Sequence, residues 1–202
     1  MEAENVRGSP ALDGFATDRV RLRALRHDDL AILRSFVNDP EVMRFSNAFR
    51  PISEIEQDQW WERILQSRDM VWFGVEELEG KAPKLVGTCC LVDIDPIVRQ
   101  AELRIRIGAK ESWGHGLGTG ACALLVGYGF DHLNLQRIWL RVFASNPRAI
   151  RLYEKLGFAT EGRPRRAAFI AGEADDVVLM GLLREEWAGA PGGQLGGPPS
   201  RQ

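Results

Sequence analysis

A short glycine-rich stretch directly before a helical segment is the part of this sequence best suited to binding a charged group. In ESWGHGLGTGACALL, residues 111–125, glycine occupies every second position from Gly114 to Gly120. Glycine inside a helix costs about 1 kcal/mol relative to alanine, so its concentration here indicates that bare backbone is needed. Backbone N–H groups at a helix N-terminus bind anions. The spacing therefore predicts an anion-binding loop, formed by Gly114, His115, Gly116, Leu117, Gly118, Thr119 and Gly120.

Two other nucleotide-binding motifs and a structural role are alternatives for this loop. Gly116-x-Gly118-x-x-Ala121 fits the dinucleotide pattern G-x-G-x-x-G/A. That fold needs an acid after the next strand for the ribose hydroxyls, but the strand ends in Ser145-Asn146-Pro147. A P-loop needs Gly-Lys-Ser/Thr before the helix, and the stretch has no lysine. The remaining alternative is a tight helix entry with glycines for packing.

The elements that must position the loop follow an irregular order. Alternating hydrophobicity predicts strands over 18–25, 70–78, 84–95, 100–108, 137–145, 158–170 and 175–183, the last two joined by a turn at 171–175. Helical patterns cover 27–39, 53–68, the glycine stretch to near Leu133, and 146–158. Three consecutive strands form a meander, which favours antiparallel pairing. We expect an α/β (α+β) fold with a mixed, mostly antiparallel sheet of about seven strands and about four helices.

Composition indicates one globular domain in a reducing compartment. The 202 residues are 45% hydrophobic and 27% charged with net charge −2, so nothing points to nucleic acid. We expect a folded domain over 17–187 between flexible tails at 1–16 and 188–202, the second rich in glycine and proline. The three cysteines are read as free thiols, and the three histidines lack metal-ligand spacing, so no metal is expected. No apolar run approaches the roughly 20 residues of a membrane span, and no signal peptide is evident. We expect a cytoplasmic protein without membrane contact.

Two segments resemble the core motifs of a known enzyme family. IGAKESWGHGLGTGACALL and RIWLRVFASNPRAIRLYEKLGF resemble the motifs of the GNAT superfamily of N-acetyltransferases, more narrowly its RimJ/RimL-like branch. The first motif is written Q/R-x-x-G-x-G/A, with its glycines here at Gly116 and Gly118. Trp113 stands where the superfamily usually has Gln or Arg, a departure common in that branch. The closing DDVVLMGLLREEW is also similar to that branch.

The resemblance implies acetyl-CoA as co-substrate and a cleft that binds it. The pyrophosphate would lie on the backbone N–H groups of the glycine loop, with His115 adding positive charge. The strand at 100–108 would splay from the strand at 137–145 and admit the pantetheine arm. Backbone groups of Ile105, Ile107 and Gly108 would then hydrogen-bond that arm, and completing a free strand edge is physically sensible.

Asn146 and Tyr153 share one face of a predicted helix. They are seven residues apart, which is two helical turns. The resemblance implies that Asn146 contacts the pantetheine arm and that the Tyr153 hydroxyl lies near the coenzyme sulfur. A phenol of pKa about 10 can protonate the thiolate that thioester aminolysis releases. The structural alternatives are a plain N-cap for Asn146 and a core aromatic for Tyr153.

Glu102 is the candidate base for the amine, which arrives largely as an ammonium ion. It lies on the strand that lines the implied cleft, where several relatives carry a glutamate. Its alternative role is an ion pair with Arg104 or Arg106 on the same strand face. Asp93 and Asp95 could attract a cationic substrate, but Asp95-Pro96 favours a hairpin turn.

These features predict an acetyl-CoA-dependent N-acetyltransferase that acetylates a primary amine by direct transfer. The amine is a peptide N-terminus or a small molecule, and the large residues that could wall its site are Phe45, Trp60, Trp61 and Trp72. The alternatives are a non-catalytic acyl-CoA-binding module on the same fold and, more remotely, an NAD(P)-dependent oxidoreductase. A homodimer is compatible with these expectations.

Overall fold

The protein forms a seven-stranded sheet covered by helices on both faces. The structure, a computed structural model, describes residues 15–45, 50–170 and 172–189, so most of the two predicted tails lies outside the described residues. The strands are β1 Val20–Ala24, β2 Val71–Glu77, β3 Lys84–Asp95, β4 Gln100–Ile107, β5 Arg137–Phe143, β6 Ala159–Gly162, β7 Ala168–Ile170, β8 Glu173–Asp175 and β9 Val177–Leu183. The α-helices are α1 Leu30–Asn38, α2 Pro40–Met43, α3 Glu54–Gln66, α4 Leu117–Asp131 and α5 Pro147–Lys155.

The strand order of the main sheet is β1-β2-β3-β4-β5-β9-β6, and β7 pairs with β8 in a separate two-stranded sheet. Within the main sheet only β4 and β5 run parallel; the other neighbours are antiparallel. The predicted mixed sheet of about seven strands is confirmed. The described residues contain five α-helices rather than about four, because the four-residue α2 follows α1 directly. None of their helices is long and apolar enough to cross a membrane.

Helix α4 packs closely on one face of the sheet. A Cβ added at Gly129 would lie 2.8 Å from Ile138 Cδ1 and 3.1 Å from Leu91 Cδ1, so the helix approaches β5 and β3 closely. The helix is buried along most of its length, which is why its sequence is apolar nearly all round. We call this side of the sheet the α4 face.

Helices α1 and α3 cover the opposite face. A Cβ added at Gly108 would lie only 2.2 Å from Phe36 Cγ of α1, so α1 needs a glycine there. Trp60 of α3 meets Trp72 of β2 edge to face, with ring centroids 5.1 Å apart. Helix α3 begins at a reciprocal cap, since Ser53 Oγ accepts from the Glu56 N–H and the Ser53 N–H donates to the Glu56 carboxylate. We call this side the α1/α3 face.

The sheet opens between β4 and β5. Their parallel pairing ends after three rungs, the last of which is Glu102 with Trp139. Beyond it, β4 stays paired with β3 as far as Ile107, and β5 stays paired with β9 as far as Phe143. The predicted splay is therefore confirmed, and it begins at Leu103. We call this opening the split.

Two local predictions were wrong. The strand expected over 158–170 is broken: β6 ends at Gly162 and β7 begins at Ala168 in the other sheet. Residues 173–175 form strand β8 rather than part of a turn. The break follows from Arg163 and Arg166, which both bond the Asp176 carboxylate, while Arg166 adopts a left-handed φ of 51°.

Candidate active site

The glycine loop divides into two pairs of glycines with different physical roles. Gly114 and Gly116 have φ of 89° and 82°, a region that L side chains rarely adopt. A Cβ added at either would meet nothing within 4 Å. These two glycines are therefore needed for backbone conformation, and the space beside them is open to a ligand.

Gly118 and Gly120 lie inside the first turn of α4, not in the loop as the sequence suggested. A Cβ at Gly118 would lie 3.3 Å from Leu152 Cδ1 of α5 and 3.9 Å from Ile107 Cγ1 of β4. At Gly120 it would lie 3.3 Å from Val20 Cγ2. These glycines allow close packing, and Gly118 marks the point where the ends of β4, α4 and α5 meet.

The start of α4 presents free backbone donors. Gly116 is the N-cap, and the first intrahelical bond runs from the Gly120 N–H to the Gly116 carbonyl. The N–H groups of Leu117, Gly118 and Thr119 therefore have no partner within the helix. The helix dipole adds partial positive charge at that end. The exposed His115 lies next to these donors, whereas the Leu117 side chain is buried in the core. This arrangement fits a pyrophosphate group.

Fewer backbone groups of β4 face the split than the sequence suggested. Even-numbered residues of β4 bond to β3, so the backbone groups of the odd-numbered residues Leu103, Ile105 and Ile107 face the split. Gly108 donates its N–H to Val86 O at 2.8 Å, so the N–H that was expected to bind the pantetheine arm is not available to a ligand. Its role is to admit Phe36 of α1.

Trp113 contacts the last residue of β4. Its indole Nε1–H donates to Ile107 O at 2.7 Å, which leaves Ile107 only its N–H for a ligand. The Arg148 guanidinium lies 6.0 Å from the Trp113 ring centroid, a cation–π distance. Of the three predicted backbone positions, Ile105 alone keeps both groups directed at the split.

Asn146 caps α5, as the pattern predicted. Its Oδ1 accepts from the Ala149 N–H at 3.1 Å, and Pro147 occupies the first helical position. Among the described residues the amide nitrogen of Asn146 has no partner. Its two donors remain available to a ligand, so capping and ligand contact are compatible roles.

Tyr153 lies two turns further along α5 and is 7% exposed. Its ring meets Phe158 with centroids 5.8 Å apart. Burial, and secondarily the neighbouring Cys122 thiol, raise the pKa of the phenol well above its usual range. Within the described part of the chain its hydroxyl makes no hydrogen bond. Tyr153 is thus a protonated donor whose hydroxyl has no partner among the described residues.

Glu102 lies at the last rung before the split and is only 3% exposed. Its carboxylate accepts from Arg104 at 2.5 Å and from Arg141 of β5 at 3.0 Å. Burial alone would raise its pKa, but the two guanidinium groups outweigh it and hold the pKa below its usual range. A carboxylate of lowered pKa is a weaker base. The geometry therefore favours the ion-pair role over the role of base.

Of the two further arginines at the split, Arg141 was not singled out from the sequence, whereas Arg106 was considered as an ion-pair partner of Glu102. Arg141 comes from β5, 39 residues after the carboxylate it binds, so no local pattern connects them. Arg106 shares the strand face of Glu102 but makes no ion pair with it. The alternation of β4 showed that these residues share a face, although not which pairs form.

The large residues proposed to wall the acceptor site make separate contacts. Trp60 and Trp72 pack together on the α1/α3 face, and Trp61 meets His27 at a centroid distance of 6.0 Å. Phe45 is 43% exposed and meets Trp113 edge to face. Asp95 caps the β3–β4 hairpin by accepting from the N–H groups of Ile97 and Val98, which confirms its turn role.

Comparison with known proteins agrees with this geometry. A family model described as an acetyltransferase (GNAT) domain matches residues 19–159. Spermidine N(1)-acetyltransferase of Escherichia coli strain K12 is 32% identical over 168 residues, 83% of this chain and 88% of that protein. A Bacillus subtilis strain 168 protein, YdaF, whose name links it to ribosomal N-acetylation, is 35% identical over 105 residues, 52% of this chain and 57% of its own.

A solved structure with the same fold contains the coenzyme. Spermidine N-acetyltransferase from Vibrio cholerae, in complex with CoA and spermine, superposes with a TM-score of 0.75 at 31% identity, covering 83% of this chain and 96% of its own. Another structure of that enzyme is described as dodecameric. The relatives carry several acetyltransferase names, so they support the superfamily and do not distinguish its branches.

Proposed function

This chain belongs to the GNAT acetyltransferase family and is an acetyl-CoA-dependent N-acetyltransferase, and from that premise we propose that it acetylates a primary amine by direct transfer. Acetyl-CoA, when bound, supplies the thioester: the amine nitrogen forms a bond to the acetyl carbon, the C–S bond breaks, and the sulfur leaves as a thiolate. The amine loses one proton, and the thiolate gains one.

The observation that carries the proposal is the meeting of three elements at Gly118. Ile107 of β4 and Leu152 of α5 both approach this residue at the start of α4. The free donors of α4, the open edge of β4 and the face of α5 that carries Asn146 and Tyr153 therefore border one cleft. Pyrophosphate, pantetheine and thioester can each find a matching group along it.

Tyr153 is proposed as the acid that protonates the leaving thiolate. Its raised pKa keeps it protonated throughout the physiological range, and its hydroxyl has no partner in the described part of the chain. Asn146 is proposed to donate its free amide hydrogens to the pantetheine arm. Ile105 is proposed to pair with that arm through both backbone groups, joined by the Ile107 N–H.

Direct transfer, without an acyl-enzyme, is supported by the state of the cysteines. Cys89, Cys90 and Cys122 are all buried. Burial raises the pKa of all three thiols, to about 12 for Cys90. A thiol that stays protonated is a weak nucleophile, so none of the three is suited to accept the acetyl group.

For Glu102 two roles remain, and we favour the second. As a base it would take the amine proton, directly or through water. As an ion-pair residue it would hold Arg104 and Arg141 across the base of the split. The second role agrees with its two partners and its lowered pKa, and solvent then takes the proton.

Two finer assignments complete the proposal. Placement in the RimJ/RimL-like branch is supported by Trp113 at the first motif position, where its indole bond to Ile107 gives it a distinct use. Self-association, as a dimer or a larger assembly, is suggested by the dodecameric relative. Light scattering of the purified protein measures the mass of the assembly.

The test is amine-dependent release of CoA thiol, with the acetylated product identified by mass spectrometry. Tyr153→Phe removes the proposed acid, and general acid catalysis contributes about 10²–10⁴-fold, so kcat should fall by that range while Kd for acetyl-CoA stays unchanged. Tyr128→Phe is the matched control, since Tyr128 is the other tyrosine of the chain and stacks on His132 near the far end of α4. Thiol release that no amine accelerates would contradict the proposal and favour a non-catalytic acyl-CoA-binding module.

A further inference from the structure

Three arginines and one glutamate share the α1/α3 face beside the split. Glu102, Arg104 and Arg106 alternate along β4, so their side chains project from the same face. Arg141 joins them from β5 through its bonds to Glu102. Arginine is always charged in proteins, so this row carries a net charge of about +2.

The Glu102 carboxylate, the one acid of this row, already bonds two of its three arginines. One Glu102 oxygen accepts from Arg141, and the other accepts from both Arg104 and Arg141. It balances two cations that are themselves about half exposed. Glu102 therefore does not neutralise Arg106.

Arg106 is the unpaired member of the row. Within residues 15–45, 50–170 and 172–189 it makes no ion pair and no hydrogen bond. It is partly buried, opposite the buried Thr88 and beside the buried Cys90. Desolvation lowers the pKa of its guanidinium, and the only group that acts against this is the Cys90 thiol. A partly desolvated charge with no counter-ion is unfavourable, and a ligand carrying an anion would relieve it.

The position of Arg106 connects it to the acceptor and not to the pyrophosphate. The start of α4, where the pyrophosphate fits, lies with Ile107 on the α4 face. Arg106 projects from the other face, which Phe36 and Trp72 also border. It directly follows Ile105, whose backbone is proposed to hold the pantetheine arm. An anion bound by Arg106 therefore belongs to the second substrate, close to its reacting amine.

We propose that Arg106 binds a carboxylate of the acceptor, so that the preferred substrate is a primary amine with a carboxylate a short distance from its nitrogen. This inference rests on the proposed function and specifies its substrate class. The planar guanidinium can receive a carboxylate through two parallel hydrogen bonds, which also orients the amine. The E. coli and Vibrio cholerae relatives are named for spermidine, a polycation that this row of arginines would repel.

The test compares paired amines in which the carboxylate is either lost or replaced by a methyl group. Lysine against cadaverine, and 4-aminobutyrate against butylamine, are used as acceptors with the full chain and acetyl-CoA, and spermidine is added for comparison. We expect the carboxylate member of at least one pair to have the higher kcat/KM, by about ten- to a hundredfold, the range of one charge-assisted contact. Arg106→Gln should remove that preference, and Arg106→Lys should restore part of it. Kd for CoA should stay unchanged.

Arg104→Gln is the control, because it removes one charge from the same row but from an arginine already paired with Glu102. It should keep most of the preference. The absence of a carboxylate preference in both pairs, or a kcat/KM for spermidine above that of both carboxylate amines, would overturn the inference and leave the proposed function standing. A weakened Kd for CoA in Arg106→Gln would also overturn it, since the arginine would then serve the coenzyme. If none of these five amines is acetylated, this inference fails, whereas the proposed function fails only if a peptide N-terminus does not accelerate thiol release either. The comparison of acceptor pairs on the unmodified chain does not depend on how any variant folds.

Discussion

Gly116 offers a sharp test of the glycine loop, because its strain and its ligand contact can be separated. Alanine at a left-handed φ costs about 1–2 kcal/mol. Gly116 has φ of 82°, and an added Cβ would touch no protein atom within 4 Å. Gly172, in the β7–β8 turn, has φ of 90° and is equally open. Gly116→Ala and Gly172→Ala should therefore lose similar stability, a fall in Tm of about 2–8 °C for a chain of this size.

The two variants should differ in coenzyme binding. The new methyl group of Gly116→Ala stands beside the free N–H groups of α4, where the pyrophosphate fits. Loss of one charge-assisted hydrogen bond would raise Kd for CoA about ten- to a hundredfold, whereas Gly172→Ala should leave it unchanged. Calorimetric titration measures Kd, and a thermal melt measures the shared strain. Equal affinity in both variants and the unmodified protein would refute the assignment of the loop to the coenzyme.

Three further predictions concern the split and its surroundings. Because burial raises the pKa of Tyr153, pH–rate profiles should show no fall in kcat from loss of the acid as pH rises toward 10. A fall in kcat as pH rises through neutrality would contradict that role. Glu102→Gln should lower stability by about 1–3 kcal/mol in urea melts at pH 7. Since the folded-state pKa of Glu102 is lowered, this difference should persist above its unfolded value of about 4.3 and vanish as pH falls through the folded value; loss of the low-pH limb, where kcat rises as a base deprotonates, with unchanged stability would instead identify Glu102 as the base. Gly108→Ala forces a methyl group onto Phe36 and should cost about 1–3 kcal/mol, and a melt unchanged from the unmodified protein would refute this packing.

Local patterns predicted the elements well because each strand and helix has a regular hydrophobic period. The glycine-to-helix transition, the N-cap at Asn146 and the meander of β2, β3 and β4 were all visible this way. The split was visible only through the family resemblance. No residue of β4 signals by its type that pairing with β5 ends after Glu102.

Contacts between distant residues explain what the sequence did not reveal. The Trp113 indole donates to the Ile107 carbonyl, and the Gly108 N–H donates to the Val86 carbonyl. Of the N–H and carbonyl groups predicted to bind the ligand there, the Ile107 N–H still faces the split. Arg141 approaches Glu102 from another strand, an ion pair that no local pattern indicated. These partners are set by packing of the whole sheet, so alternation along β4 could show a shared face but not the pairs.

The central claim, that the cleft between β4, α4 and α5 holds coenzyme A, is tested most directly by thermal unfolding with acetyl-CoA, CoA, NADH and NADPH. At about a hundredfold excess over Kd, a ligand that binds only the native state adds about 2.7 kcal/mol of stability, a rise in Tm of about 5–11 °C. We predict this rise with acetyl-CoA and CoA and none with the nicotinamide cofactors. A rise with NADH or NADPH, or with none of the four, would contradict the account.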